Sequence, residues 1–407
     1  MLPKSAKIVI IGGGVFGTSA AFQLANAGHR DILLLDRGPI ASGTTPFAAG
    51  QTGYLNKDRL ALEFGIYNIE FFENFERHTG YPIDFHQCGS LRVALTEQYQ
   101  TDLEARHEAA MQLGNDVQFI SPGRAQELVP TFVPPKGARI LLIPRDGYVE
   151  PKSVAVAYAA AAQDRGVIIR TRLEATGVDV RDGRVRAVYT PAGTVETEWV
   201  ILAAGAWTRQ FAQALELNVP SVPVRHQAFV TAPLPGVLPM QPIVRVTEPQ
   251  IYVRHEANGL LVGGYGFRPL SFDMNGFPRD FEIPSLEADV VYYEQLRAEA
   301  TKCFPKLSDA ITIQERRGLP TVSPDGRLVI SEPNKIRGLL IVTACGVGGI
   351  DRSPGVGRVV SEIVGGQSLW IDPEQLSADR FGDDFRDDAT LRAQCEHVYA
   401  HHYHYIY

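Results

Sequence analysis

Cysteine is scarce in this chain of 407 residues: Cys88, Cys303, Cys345 and Cys395 stand far apart and never in C-x-x-C spacing. That argues against a disulfide framework or a cysteine-type zinc site, and it suits a reducing cytoplasm. Long apolar runs are missing too. The first, Ile8 to Ile11, is too short for the core of a signal peptide, and no stretch approaches the roughly 20 residues that span a bilayer. Basic residues are not in excess. With 39 Lys and Arg against 46 Asp and Glu the net charge is -7 and the pI about 5.8, so the footprint of a nucleic-acid or anionic-membrane binder is lacking. Internal repeats and low-complexity linkers are absent. The expectation is a cytoplasmic globular protein without a membrane span, long enough for two domains with substantial cores.

What the chain does have is glycine in telling places. Ile8-Val9-Ile10-Ile11 runs straight into Gly12-Gly13-Gly14-Val15-Phe16-Gly17, and an Ala-rich segment follows. Strand, Gly-x-Gly-x-x-Gly turn and helix are the context a dinucleotide fingerprint requires. Gly12 permits the turn, Gly14 lets backbone N–H groups approach a pyrophosphate, and Gly17 lets the helix pack close to the strand. Val15 and Phe16 belong to the same cradle, where the helix N-terminus faces the anion. A second strand, Ile32 to Leu35, closes on Asp36, placed to bind a ribose hydroxyl. After Arg37 comes a loop rich in small and hydroxyl residues. It reads either as a surface loop or as a wrap around diphosphate and flavin with Ser42, Thr44 and Thr45 as donors, and its position favours the wrap.

Further on, apolar residues spaced by threes and fours predict a helix from about Asn56 to Glu76, with Leu60, Phe64, Tyr67, Phe71 and Phe75 as its core stripe. Helices over Thr96–Leu113 and Ser153–Arg165 and a hairpin at Asp182-Gly183 follow. The strand from Trp199 ends in Ala203-Ala204-Gly205, small residues that belong at the carboxyl edge of a parallel sheet, where ligands sit. From Val222 the pattern alternates, with Val222, Val224, His226, Ala228 and Val230 on one face. Asn258-Gly259 marks a hairpin, and Tyr252 and Arg254 share the face opposite Ile251 and Val253, which predicts an antiparallel sheet. Near the end, Leu339 to Thr343 meets a second glycine turn. Ser353 as N-cap and Pro354 at N1 predict a helix from Pro354 to about Val364. That second positive dipole end exceeds the needs of an NAD enzyme with one nucleotide site.

Together these pieces resemble the flavin-dependent amine oxidoreductases of the D-amino-acid oxidase superfamily, most of all its dimethylglycine dehydrogenase, sarcosine dehydrogenase and sarcosine oxidase branch. The resemblance rests on the Gly12–Gly17 fingerprint, Ser42-Gly43-Thr44-Thr45, Asp146-Gly147-Tyr148-Val149, Leu202 to Trp207, Leu319 to Gly326 and Gly346 to Gly357. It implies an α/β (overall α+β) chain: a Rossmann-like FAD domain with a mixed parallel sheet, built from residues 1–85, 145–218 and 326–368, and a substrate domain on an antiparallel sheet, from 86–144 and 219–325. Residues 369–407 form a tail. It also implies Gly346, Gly348, Gly349, Ile350 and Asp351 at the flavin pyrimidine, and Ala175 holding adenine through its backbone.

Departures from the family carry information. Where relatives bond FAD covalently through histidine or cysteine, this chain has Phe47 and Gly318, so FAD is expected to be non-covalent. Where the oxidases place a lysine beside the flavin, Asp351 stands, with Arg352 next to it. That favours a dehydrogenase over an oxidase, the electron acceptor being oxygen or a carrier. No folate-binding half is expected.

The implied reaction takes hydride from the α-carbon of a secondary or tertiary amine or amino acid, N-methyl or cyclic, and the imine is hydrolysed. A substrate carboxylate would call for an arginine. Arg254 is the first candidate, with Tyr252 and Tyr265 beside it, although a solvated edge-strand arginine fits the pattern equally; Arg317 is the second. His226 is either a proton acceptor or a core histidine. His397 and His401 have the i, i+4 spacing of metal ligands, but a docked or oligomer-forming tail fits better, and no metal is expected. A flavoprotein subunit of a heteromeric dehydrogenase and an oxidase of glycine or primary D-amino acids remain as alternatives.

Overall fold

The structure is a computed structural model and describes residues 2–405. Its first sheet has six strands in the order Val329–Ser331, Leu339–Thr343, Trp199–Leu202, Ile8–Ile11, Ile32–Leu35 and Ile168–Arg170. All neighbours are parallel except the first pair. Both faces are covered, which is why the central strands are apolar throughout rather than alternating. Ile8, Ile10, Ile32 and Leu34 face a helical layer that includes Val15–Asn26, Pro151–Asp164 and Gly349–Val364. Val9, Ile11, Leu33 and Leu35 face a three-stranded sheet built on the hairpin at Asp182-Gly183.

Two helices depart from the sequence reading. The helix Arg59–Thr79 is capped by Asp58, whose side chain accepts from Ala61 N–H, and it ends on left-handed Gly80. Its buried face runs through Leu62, Ile69, Phe72 and Phe75. Phe64 and Tyr67 lie on the flank instead, with ring centroids 5.5 and 5.2 Å from Trp370 of the tail. The pattern of threes and fours had identified the helix correctly but rotated its inner face toward the aromatics. The helix after the second glycine turn begins at Gly349, not Pro354, and Ser353 is not its N-cap. Pro354 lies inside it, and the Ile350 carbonyl that Pro354 cannot serve accepts from Ser353 Oγ–H at 2.8 Å.

The second sheet has eight strands in the order Thr312–Gly318, His226–Thr231, Gly259–Gly264, Ile251–Glu256, Ile243–Val246, Ser90–Ala94, Arg139–Ile143 and Gln118–Ile120. It is antiparallel except where Ile243–Val246 runs parallel to Ser90–Ala94. One face, with Phe229, Ile251, Val253 and Val262, packs on the helix Val290–Thr301. The other, with Ala228, Tyr252, Leu261 and Tyr265, receives the tail helix Asp388–Ala400 through Leu391, Cys395, Val398 and Tyr399. The tail is thus docked, and Tyr403 Oη–H donates to the Ile251 carbonyl at 3.1 Å. No helix among the described residues is long and apolar enough to cross a membrane.

Candidate active site

A cavity of about 1510 Å³ opens between the carboxyl edge of the parallel sheet and the tyrosine-bearing face of the larger sheet. That exceeds the ~300–1,000 Å³ of ordinary small-molecule pockets and suits a dinucleotide together with a substrate. At one end lie Gly12, Gly14, Val15 and Phe16. Gly12 has φ +114°, and a Cβ there would come 2.3 Å from the Ala203 carbonyl oxygen. A Cβ on Gly17, which packs beneath the wall, would lie 1.8 Å from the Gly12 carbonyl oxygen. Gly14 differs: its Cβ would meet only Thr45 Oγ1, at 3.5 Å, so its face is open toward the cavity. The first and third glycines therefore serve chain packing, and the second leaves the helix N-terminus accessible.

The hydroxyl loop forms wall. Ser42, Thr44 and Thr45 line the cavity. Thr45 Oγ1 accepts from Val15 N–H at 3.1 Å, which leaves its own proton to donate to an anion. Thr44 Oγ1 accepts from Leu319 N–H at 3.0 Å and ties the loop to the second sheet. Asp36 accepts from the N–H groups of Gly13 and Gly38. Burial raises its pKa, while those two donors and Arg37 oppose the rise. Arg37 lies 3.9 Å over the Trp207 ring and donates to the carbonyls of Arg279 and Phe281, so it pins a roof segment whose position the sequence did not reveal. Ala175, Ala203, Ala204 and Gly205 also line the cavity.

At the second glycine turn, Gly348, Gly349, Ile350 and Asp351 reach the wall and Gly346 does not. Gly346, at φ +54°, shapes the bend instead. Val347 lines the wall at φ +65°, a strained conformation for a β-branched residue of the kind that gathers at functional sites. Because the helix starts at Gly349, its free N–H groups open directly onto the cavity, closer than a start at Pro354 would allow. Asp351 is buried and accepts from Gly53 N–H at 2.9 Å. Burial pushes its carboxyl up to about 7. Arg352 turns away and donates to the Cys345 carbonyl at 3.3 Å.

At the far end stand His226, Arg245, Tyr252 and Tyr265. Arg254 is not among the lining residues. Its strand is interior, so it is not an edge arginine either: at 1% exposure it is ion-paired with Glu256 at 2.6 Å and lies 4.3 Å over the Tyr148 ring. Burial lowers its pKa, and Glu256 counters that. Arg317 also stays off the wall, its guanidinium 4.0 Å from Glu315. The cation at this end is Arg245, bonded to Gln51, Ser90 and Asp146. The signal for it was present: a lone arginine in Ile243-Val244-Arg245-Val246, flanked by valines, has to point opposite to them. In the tail, His401 Nδ1 is 2.8 Å from the His397 carbonyl.

Residues 7–363 match the model of a family described as DAO, FAD dependent oxidoreductase. The chain belongs to that family. Within this FAD-dependent oxidoreductase family, it is similar to 4-methylaminobutanoate oxidase (formaldehyde-forming) of Paenarthrobacter nicotinovorans, 29% identical over 99% of this chain and 49% of that protein. It is also similar to mitochondrial dimethylglycine dehydrogenase of Mus musculus, 30% identical over 93% of this chain and 44% of that protein. The chain spans about half the length of these curated relatives. Among solved structures, L-proline dehydrogenase from P. horikoshii superposes with a TM-score of 0.84 at 22% identity, covering 94% of this chain and 99% of that one. This is an agreement of fold.

The residues present fit the family's cofactor. An open glycine at a helix N-terminus, a hydroxyl that can donate beside it and an acid at the end of the next strand would hold diphosphate and ribose. The start of the helix at Gly349 would meet the electron-rich edge of the flavin.

Proposed function

We propose that the chain oxidises a carbon–nitrogen bond in a secondary or tertiary amine that carries a carboxylate, an N-methyl or cyclic amino acid. The observation that supports this most is Arg245, a buried cation at the end of the cavity framed by Tyr252, Tyr265 and His226. Bound FAD supplies the two-electron acceptor that turns the C–N bond into an imine, which water then hydrolyses. In this reading the positive charge of Arg245 draws the carboxylate to this end of the cavity, while Gln51, Ser90 and Asp146 hold the guanidinium in place through Nε and Nη1. The aromatic walls exclude water and orient the α C–H bond. The names of the two curated relatives, one an N-methylamino acid oxidase and the other a dimethylglycine dehydrogenase, support the substrate class.

FAD is held without a covalent bond in this reading, since Phe47 and Gly318 line the wall and neither carries a nucleophile. Asp351 as the acid beside the helix N-terminus, rather than a cation, favours an acceptor other than oxygen. One anaerobic experiment tests the reading: N-methyl and cyclic amino acids are added to the purified holoprotein and flavin absorbance is followed. Bleaching by one of these but not by simple alkylamines is expected, and no bleaching by any of them sinks it. Admitting air then separates dehydrogenase from oxidase, because rapid reoxidation contradicts the first. Acid precipitation should leave the flavin in the supernatant; yellow pellets, with Cys345 on the same wall as the thiol to examine, would overturn the non-covalent assignment.

A further inference from the structure

The second glycine turn holds one residue that its backbone does not favour. Cys345-Gly346-Val347-Gly348-Gly349 is glycine everywhere except at Cys345 and Val347, and Val347 takes φ +65°. Of the described non-glycine residues with positive φ, Val347 alone is β-branched. In that left-handed region Cβ crowds the following carbonyl oxygen, and a second branch on Cβ adds to the crowding, so Gly, Asn and Asp are its usual occupants.

The turn cannot relax around this residue. On one side Cys345 N–H donates to Thr321 Oγ1 at 3.3 Å, and Gly346 N–H donates to the Thr321 carbonyl at 2.9 Å. On the other, Gly348 N–H donates to the Cys345 carbonyl at 3.0 Å, and Arg352 N–H donates to the Gly348 carbonyl at 2.9 Å. Neighbours fixed on both sides over-determine Val347, which is how a strained residue persists. Glycine here would remove the strain, so what valine adds comes from its side chain. Val347 lines the cavity, and its side chain packs against the cluster that contains Tyr252, Tyr265 and Tyr399. It thus joins the turn that starts the helix at Gly349 to the tyrosine face of the larger sheet.

We propose that Val347 is a specificity-determining residue: its isopropyl group is a wall between the start of that helix and the tyrosines, and it limits the bulk that a substrate can carry beside its carboxylate. This role rests on the carboxylate reading given above, whereas the strain can be measured with no substrate present.

The test compares wild type, Val347→Gly and Val347→Ala as holoproteins at equal FAD concentration. Where φ is negative, alanine is the more stable of the two small residues; at positive φ the order reverses. Val347→Gly should therefore melt above Val347→Ala. Acetate, isobutyrate and pivalate are then titrated against flavin absorbance. Affinity should fall from acetate to pivalate in wild type, and in Val347→Gly the ratio of pivalate to acetate affinity should rise at least about tenfold. Val347→Ala should show a smaller rise in the same direction, and it carries the comparison if the glycine variant loses its flavin. Acetate binding with an unchanged ratio in the variants overturns the wall alone. Val347→Gly melting below Val347→Ala overturns the strain on which the proposal stands. Acetate that perturbs the flavin in none of the three proteins sinks the carboxylate reading itself, and the wall with it.

Discussion

The guanidinium of Arg245 sits 2.9 Å from the carboxylate of Asp146, with the two side chains 2% and 1% exposed. A pair this deep is weak evidence for net stability, but removing one member strands the other. Asp146→Ala should cost about 3–5 kcal/mol in urea unfolding, because it leaves a buried cation. Arg245→Met asks a different question. If this cation receives a substrate carboxylate, acetate binding, followed by the flavin absorbance change, should weaken by about 2–5 kcal/mol. Arg254→Met, off the cavity wall, should leave that affinity unchanged. Equal effects in the two variants would remove Arg245 from its special position.

A pH dependence follows from Asp351. Burial raises its carboxyl from 3.8 to about 7, against a hydrogen bond from Gly53 N–H and the charge of Arg352. Between those values the folded chain keeps a proton that the unfolded chain has lost, so stability falls as pH rises through the window. The contribution is fully present below about pH 4 and gone above about pH 7, with a ceiling of roughly 4 kcal/mol. Asp351→Asn keeps an oxygen for Gly53 and cannot ionise. Its unfolding free energy relative to wild type should therefore improve steadily between about pH 4 and pH 7 and level off above that, and a difference that does not vary with pH would contradict the shift.

How much of this was legible in the chain depends on how local the cause is. The fingerprint, the Asp182-Gly183 and Asn258-Gly259 hairpins and the opposition of Tyr252 to Val253 follow from turn chemistry and a period of two, which neighbours in sequence fix. Arg254 is neither an edge-strand arginine nor on the cavity wall, although Tyr252 two residues before it lines that wall, because strand order and the partners a side chain meets are long-range properties. Alternation alone placed its side chain on the cavity face of the sheet, but Glu256 and Arg316 hold that region together before the cavity begins. Alternation shows that Arg245 points away from its valines, but not what it meets there, because Gln51 and Asp146 reach it across 194 and 99 residues. The start of the helix Gly349–Val364 departs from the sequence reading because Pro at N1 is a strong local preference, and a serine hydroxyl that replaces the lost donor cannot be foreseen from it.

That substitution can be measured. Ser353 Oγ–H serves the Ile350 carbonyl, and Tyr158 Oη–H, 3.2 Å away, donates to Ser353 Oγ. Both groups are buried. Ser353→Ala should cost about 1–3 kcal/mol, since it orphans the carbonyl and the phenol together. Pro354→Ala returns a backbone N–H to Ile350, so Ser353→Ala should cost less in that background. A double-mutant cycle by denaturant unfolding reads the coupling directly, and additive effects would mean that the hydroxyl does not replace the missing donor.

The three glycines of the first turn should separate folding from cofactor binding. On Gly17 an added methyl meets the Gly12 carbonyl at 1.8 Å, and backbone cannot swing aside as a side chain can. Gly17→Ala should therefore lose about 1–3 kcal/mol even in the apoprotein, and its flavin with it. Gly12→Ala adds the strain of φ +114° to a 2.3 Å contact and should be worse. Gly14→Ala meets nothing closer than Thr45 Oγ1 at 3.5 Å, so the apoprotein should melt as wild type does. Its methyl would nonetheless project where the diphosphate approaches the helix N-terminus, and FAD affinity should drop by at least tenfold, about 1.4 kcal/mol. Melting of the apoproteins and flavin titration by fluorescence quenching distinguish the three. A Gly14→Ala protein that binds FAD normally would show that the diphosphate does not sit against this turn, whereas loss of apoprotein stability there would show that the open face is needed for packing after all.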